Sequence, residues 1–182
     1  MIKPDGFLDI GIGFDHTRLK NYVLNIPNTW WDAEKERGEQ FPVHMNTRTI
    51  KVKWVPWDVC KEEIYEPLYT DITNIASDLL SGLTKFYNYG SIFKIILTKL
   101  LPASNIPLHV DGGDYLEKTH RIHAPIITNP FVYFKCGEKT INMAEGQVIE
   151  INNQQPHHVI NLSLQERIHM VVDIVPGTIT ND

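Results

Sequence analysis

Six of the eight histidines in this 182-residue chain fall between positions 109 and 169. Neutral imidazole is the commonest metal-binding side chain, so such a cluster raises metal chemistry first. The sharpest element is His109-Val110-Asp111. On an extended segment residues i and i+2 face the same way, so one ring nitrogen and one carboxylate can share an ion. A third ligand from another strand completes a set of two histidines and one carboxylate, which leaves three positions of an octahedral Fe(II) open. His157 and His158 stand about fifty residues on, immediately before Val159, in a run able to return beside the first. Alternation sends these two rings to opposite faces, so at most one of them ligates. With eight His and eleven Asp in the chain, a chance His-x-Asp is expected in about half of such sequences, so its weight depends on what accompanies it.

Arg167 accompanies it, ten residues after His157 and at the start of another apolar run. A guanidinium fixed inside a barrel grips a carboxylate bidentately, which lysine cannot do. Thr98, in the run before His109, offers a hydroxyl to the same anion. An iron triad with a deep carboxylate clamp is what 2-oxoglutarate requires: its keto-acid end chelates the metal and its far carboxylate needs a cation.

These residues need strands to hold them, and the second half of the chain supplies the pattern. After Gly90 short strand-like runs cover 92–101, 121–128, 131–136, 147–151, 157–161 and 167–175. Turn signals separate them, among them Asp111-Gly112-Gly113-Asp114, Asn129-Pro130, Glu145-Gly146 and Asn152-Asn153. Six such strands predict an antiparallel sandwich or barrel. Before Gly90 the period is helical. Asp15 caps a predicted helix over 17–24. Leu68, Ile72, Ile75, Leu79, Leu83 and Phe86 form one apolar stripe that predicts a continuous helix over 68–86, starting after Pro67. Between these helices lie all four tryptophans and a strand-like run over 47–55. There Thr47, Thr49, Lys51 and Lys53 alternate with Arg48, Ile50, Val52 and Trp54. Arg48 on the apolar side means either an exposed strand end or a guanidinium reaching a polar cavity. The fold class is therefore α+β, with helices covering one outer face of a β core.

The order of these residues resembles the aspartyl/asparaginyl β-hydroxylase family of Fe(II)/2-oxoglutarate oxygenases. Thr98, Pro102 and His109 match its hydroxyl, proline and first metal histidine, and Arg121-Ile122-His123 its Arg-x-His pair. Glu145-Gly146-Gln147-Val148, His157-His158-Val159 and Arg167 match its turn, its second histidine and its distal arginine. The match runs over about residues 92–176. The resemblance implies a double-stranded β-helix (jelly-roll, cupin-like) core. It implies iron on His109 and His157, with His-x-Val and the spacing to Arg167 choosing His157 over His158. Some members lack a carboxylate where this chain has Asp111, so the full triad is expected. Thr98 and Arg167 would hold the distal carboxylate of 2-oxoglutarate and His123 its metal-side carboxylate, leaving a position for O2. Arg121, joined by Arg48, would face the substrate. The implied reaction is hydroxylation of an amino-acid side chain, in a free amino acid or a peptidyl Asp/Asn-like residue, producing succinate and CO2. His120, His158 and His169 receive no role, and His16 and His44 read as ordinary surface or core residues.

Composition narrows the alternatives. The chain is 42% hydrophobic and 21% charged with net charge −5, divided almost evenly between its halves. No basic face is concentrated anywhere, which argues against nucleic acid as a partner. The longest apolar stretch, 92–101, is interrupted by Lys94 and Lys99 and is too short to span a bilayer. The N-terminus lacks an apolar signal core, and Cys60 and Cys136 form neither a disulfide framework nor a zinc pattern. A single cytoplasmic catalytic domain over 1–182 is expected, with 1–90 as mainly helical support and 91–176 as the β core. Its partner would be a small molecule or short peptide. Two other classes compete: a cupin-type metalloenzyme that does not use 2-oxoglutarate, and a non-enzymatic jelly-roll binding module. Neither needs Arg167 together with Thr98.

Overall fold

The computed structural model describes residues 2–32, 42–55 and 63–178. Trp57 and Cys60 lie outside them. Among the described residues eleven strands build two antiparallel sheets that face one another. The larger sheet orders its strands β1-β9-β6-β11-β4-β2-β3 and the smaller β5-β10-β7-β8. The strands are β1 Phe7–Asp9, β2 Thr47–Trp54, β3 Glu63–Ile64, β4 Ser91–Leu100, β5 Ser104–His109 and β6 His120–Ile127. They continue with β7 Val132–Cys136, β8 Lys139–Ile141, β9 Ile149–Ile151, β10 His157–Asn161 and β11 Arg167–Val175. This is the jelly roll expected, with α-helices on the outside of the larger sheet. The region before Gly90 does more than cover it, because β1, β2 and β3 belong to the same sheet.

The helices follow the local chemistry. Helix α1 (His16–Leu24) begins where the Asp15 carboxylate accepts from the Arg18 amide, satisfying one of the helix's unpaired donors. A short helix α2 (Asn28–Asp32) follows. The predicted helix over 68–86 is two helices, α3 (Leu68–Ile75) and α4 (Ser77–Phe86), separated at Ala76, where φ is −98° and ψ 21°. Ala76 is itself fully buried, and the bend keeps the stripe on one face: Leu68, Ile72, Leu79 and Leu83 are buried. Phe86, counted in that stripe, turns outward, and buried Tyr87 takes its place.

Two apolar clusters divide the molecule. One lies between the helices and the outer face of the larger sheet, where Leu19, Ile72, Leu79 and Leu83 meet Leu97, Ile122, Met170 and Val172. The other lies between the sheets and includes Leu100, Ile106, Phe134, Ile151 and Val159. The space left in this second layer holds the polar site. Along β11 the inner face reads Arg167, His169, Val171, Asp173, because alternate residues share a face.

Three local irregularities set which side chains enter. Between β10 and β5, His157 pairs with His109 and Val159 with Ile106, so β5 carries one extra residue around Pro107 and Leu108. That bulge brings His109 onto the same inner face as Ile106, which strict alternation would forbid. A second bulge, near Val52, pairs Trp54 with Lys94. It moves Trp54 off the apolar side assigned to it from the sequence and onto the inner face. A third, where Asp173 pairs with Lys94 and Ile174 with Ile92, ends the inner face of β4 at Lys94.

Candidate metal centre and active site

His109 ends β5, Asp111 follows two residues later, and His157 opens β10 directly opposite His109. One donor atom from each lies within 4.8 Å of the other two. Nε2 of His109 is 3.7 Å from Oδ1 of Asp111, and Nε2 of His157 is 3.9 Å from Oδ2. The backbone fixes both tautomers. Nδ1 of His109 is 2.7 Å from the Pro107 carbonyl and Nδ1 of His157 is 2.9 Å from the Gln155 carbonyl. A carbonyl only accepts, so each Nδ1 carries the proton and each Nε2 lone pair faces the gap. Burial also pushes the His157 imidazolium down, favouring the neutral ring a metal requires. The donor set, two nitrogens and one carboxylate on one side of the gap, fits Fe(II). His158 faces away and is half-buried, paired across the ladder with Lys135.

The loop carrying Asp111 is tied down by its neighbours. The Asp111 amide donates to the Asn153 carbonyl, and Gln154 Nε2 donates to the Asp111 carbonyl. Lys3 Nζ donates to the carbonyls of Leu116 and Thr119 and to the side-chain oxygen of Asn153. The predicted turn at Asp111–Asp114 runs directly into a short helix, α5 (Asp114–Lys118).

From the triad a cavity runs between the sheets, with about 510 Å³ of space not filled by protein, part of it open to solvent. Thr98, His123, Val159, Val171 and Arg167 line it beyond the ligands. Arg167 is 1% exposed, and its Nε and Nη1 have no partner among the described residues. Burial alone pushes its pKa down to about 9. A guanidinium left with unsatisfied buried donors costs several kcal/mol unless an anion enters. The residues present therefore fit 2-oxoglutarate: a buried guanidinium that a carboxylate would satisfy lines the same cavity as the triad.

Arg121 lies on the wall of this cavity but its guanidinium is engaged. Nε and Nη2 donate to the two oxygens of Asp173, each at 2.8 Å, and Nη1 donates to Oδ2 of Asp111. It braces a metal ligand against a second, fully buried carboxylate. Burial opposes ionisation of Asp173, but Arg121, then Lys94 and Tyr115, hold its carboxyl well below the usual carboxylate range.

Arg48, assigned to the substrate side from the sequence, is placed elsewhere. It pairs with Lys99, on the face opposite Thr49 and Thr98, and donates to the Thr47 carbonyl at 3.0 Å. It does not line the cavity. The strand-end alternative accounts for its register. Conversely His44, read as ordinary, lines the cavity and sets its ring edge against His109 with centroids 5.9 Å apart. Asp173 and Lys94 were also missed. Each is a charge inside an apolar strand, and Asp173 shares the parity of Arg167 and His169; that signal was available.

His123 lines the cavity, and its Nδ1 is 3.2 Å from Nδ1 of His169. Burial first, then the nearby Arg167 charge, push both rings well below their ordinary 6.5. Below that pH the unfolded chain takes up protons that the folded one refuses, so stability falls as pH falls. The loss approaches about 1.4 kcal/mol per pH unit for each ring. Urea unfolding of the metal-free protein at about pH 7.5 and about pH 5.5 should show this. His169→Leu should lose about 1.4 kcal/mol less than the unmutated protein across that interval.

Comparison with known proteins agrees with this geometry. Residues 36–176 match the family model for aspartyl/asparaginyl beta-hydroxylase. The fold is similar to a Trichoplax adhaerens prolyl hydroxylase solved with a hypoxia-inducible-factor peptide (TM-score 0.62, 13% identity, 94% of this chain and 84% of that one). It is also similar to a collagen prolyl hydroxylase of Paramecium Bursaria Chlorella virus-1 solved with 2-oxoglutarate (TM-score 0.56, 10% identity, 94% and 96%). A third is a 2OG-Fe(II) oxygenase-family protein of Burkholderia pseudomallei (TM-score 0.55, 13% identity, 71% and 67%). No curated protein matches the sequence.

Proposed function

Because the chain belongs to the aspartyl/asparaginyl β-hydroxylase family, we propose that it hydroxylates an amino-acid side chain, in a free amino acid or a short peptide, using Fe(II), 2-oxoglutarate and O2. The observation that supports the cosubstrate assignment is Arg167, buried in the same cavity as the triad with two donors unpartnered among the described residues. A cupin enzyme acting on an uncharged substrate would leave this buried cation unpaired.

When bound, the iron and 2-oxoglutarate supply the oxidising power, with O2 giving one oxygen to the product and the other to succinate as CO2 leaves. The chain's own residues set the geometry. His109, Asp111 and His157 would hold the metal from one side. Arg167 would take the far carboxylate of 2-oxoglutarate in a charge-assisted pair, with Thr98 as a further donor. His123, kept neutral by burial, lines the same cavity and can donate a hydrogen bond without adding charge. Arg121 keeps the Asp111 carboxylate in place through Oδ2. The apolar residues Ile106, Phe134 and Val159 keep water from the enclosed end.

The test is a 2-oxoglutarate titration of the Mn(II)-loaded protein without oxygen, followed by Fe(II) turnover assays for succinate with amino acids and peptides. Saturable 2-oxoglutarate binding that depends on Mn(II), and succinate release that rises with a substrate, are the expected results. Metal binding without any 2-oxoglutarate binding would move the protein to the cupin reading.

A further inference from the structure

His169 lies on the inner face of β11 between Arg167 and Val171, opposite Thr98 of β4 and Pro125 of β6. It is 1% exposed and does not line the cavity itself. Its ring meets that of His123, which does, with centroids 5.5 Å apart and planes at 75°. The two Nδ1 atoms are 3.2 Å apart. Phe134 also packs on His123, with centroids 5.3 Å apart and planes at 85°, and offers neither a donor nor a lone pair. Nδ1 of His123 is therefore committed to His169, and Nε2 is the nitrogen left for a ligand in the cavity.

Burial, and then the Arg167 charge, keep both rings neutral near neutral pH. A neutral imidazole carries one proton on its two nitrogens, so this contact needs one Nδ1 to donate and the other to accept. If His123 donates, the proton of His169 must sit on Nε2. That atom is buried with no partner among the described residues, so an N–H would be sealed away unmet. The same layer already holds the unpartnered Nε and Nη1 of Arg167, and a further orphaned donor would compound their cost. If His169 donates, its Nε2 is only an unused lone pair. Buried donors without an acceptor are rarer in folded proteins than under-used acceptors, so the second arrangement is the one the burial pattern selects.

We infer that His169 donates its Nδ1 proton to Nδ1 of His123 and so holds His123 with a proton on Nε2, ready to donate to an anion in the cavity. The opposite tautomer would turn a lone pair toward that anion and repel it. His169 is thus a positioning residue, acting on the ligand only through His123. Its place two residues after Arg167 on one strand face puts it in the layer of the anion clamp. The inference rests on the hydroxylase reading in taking the anion to be 2-oxoglutarate.

The experiment reads the tautomers directly, by NMR of the metal-free protein with its histidines labelled with nitrogen-15. Nε2 of His169 should resonate as an unprotonated nitrogen and Nε2 of His123 as a protonated one. The second arm is anaerobic 2-oxoglutarate titration of the Mn(II)-loaded protein. His169→Leu should weaken 2-oxoglutarate about three- to tenfold, part of the value of a charge-assisted hydrogen bond, and leave Mn(II) affinity unchanged. His169→Asn should recover most of that loss, because its amide nitrogen can donate from nearly the place of Nδ1. A protonated Nε2 on His169 overturns the proposal on the unmutated protein alone, whatever the variants' folding. Undiminished 2-oxoglutarate affinity in His169→Leu also overturns it, as does an equal loss in the Leu and Asn variants, which is what a packing role would give. Failure of 2-oxoglutarate to bind the unmutated protein is a different result: it strikes the hydroxylase reading, while the ligand-free tautomers still decide which ring donates.

Discussion

His157→Ala should remove tight divalent-metal binding, whereas His158→Ala should leave it nearly unchanged. The two rings are neighbours in sequence and opposite in fate. His157 is 4% exposed, faces His109 across the β5–β10 ladder, and has Nδ1 fixed by the Gln155 carbonyl so that Nε2 points at Asp111. Its loss leaves only His109 and Asp111 to hold the ion. The fall in affinity should therefore exceed the about 10- to 100-fold typical of removing an outer partner of a ligand. His158 lies on the other face of the strand, and no donor of His109 or Asp111 is directed toward it. Anaerobic Mn(II) or Co(II) titration of both variants is the measurement. Metal loss in His158→Ala alone would mean that β10 is shifted by one residue, since a one-residue slip exchanges its two faces.

Arg167→Met should weaken 2-oxoglutarate by about 10- to 100-fold or more while leaving metal affinity intact. The triad has no contact with this side chain that an uncharged replacement would remove. The same change should leave the ligand-free protein at least as stable as before. Nε and Nη1 are buried without partners among the described residues, so removing the guanidinium deletes a desolvated charge and a methionine fills much of its volume. Anaerobic 2-oxoglutarate titration with Mn(II), paired with urea unfolding of the ligand-free forms, reads both effects. Equal 2-oxoglutarate affinities would reject the clamp. A large loss of stability would make Arg167 a structural residue whose partners lie elsewhere.

Most of the site was legible because its residues break the pattern of their own segments. A polar side chain in an apolar strand has few reasons to be there; Thr98 and His123 interrupt such runs, and His157 and Arg167 open them. The strands β10 and β11 carry unbroken alternation and coincide with the runs read over 157–161 and 167–175. Strand β5 was not legible although it carries a metal ligand. Pro107, exposed Leu108 and the bulge destroy its alternation, and its pairing with β10 is what makes it a strand. The bend at Ala76 was hidden too, since both α3 and α4 keep the same apolar stripe through it.

By itself, then, the amino-acid order determined a β core with covering helices, a metal-binding His-x-Asp with a distant histidine, and a cation placed where only an anion would justify it. These are properties of local period and residue type, readable without knowing any partner strand. The tertiary structure alone decided which face several side chains take, because a bulge resets strand parity and its position is chosen by the neighbouring strand. That is why His109 joins Ile106 inside, why Trp54 turns in beside Lys94, and why Arg48 stays out. It also decided that Arg121 is engaged by Asp111 and Asp173, pairings across 10 and 52 positions that no local pattern records.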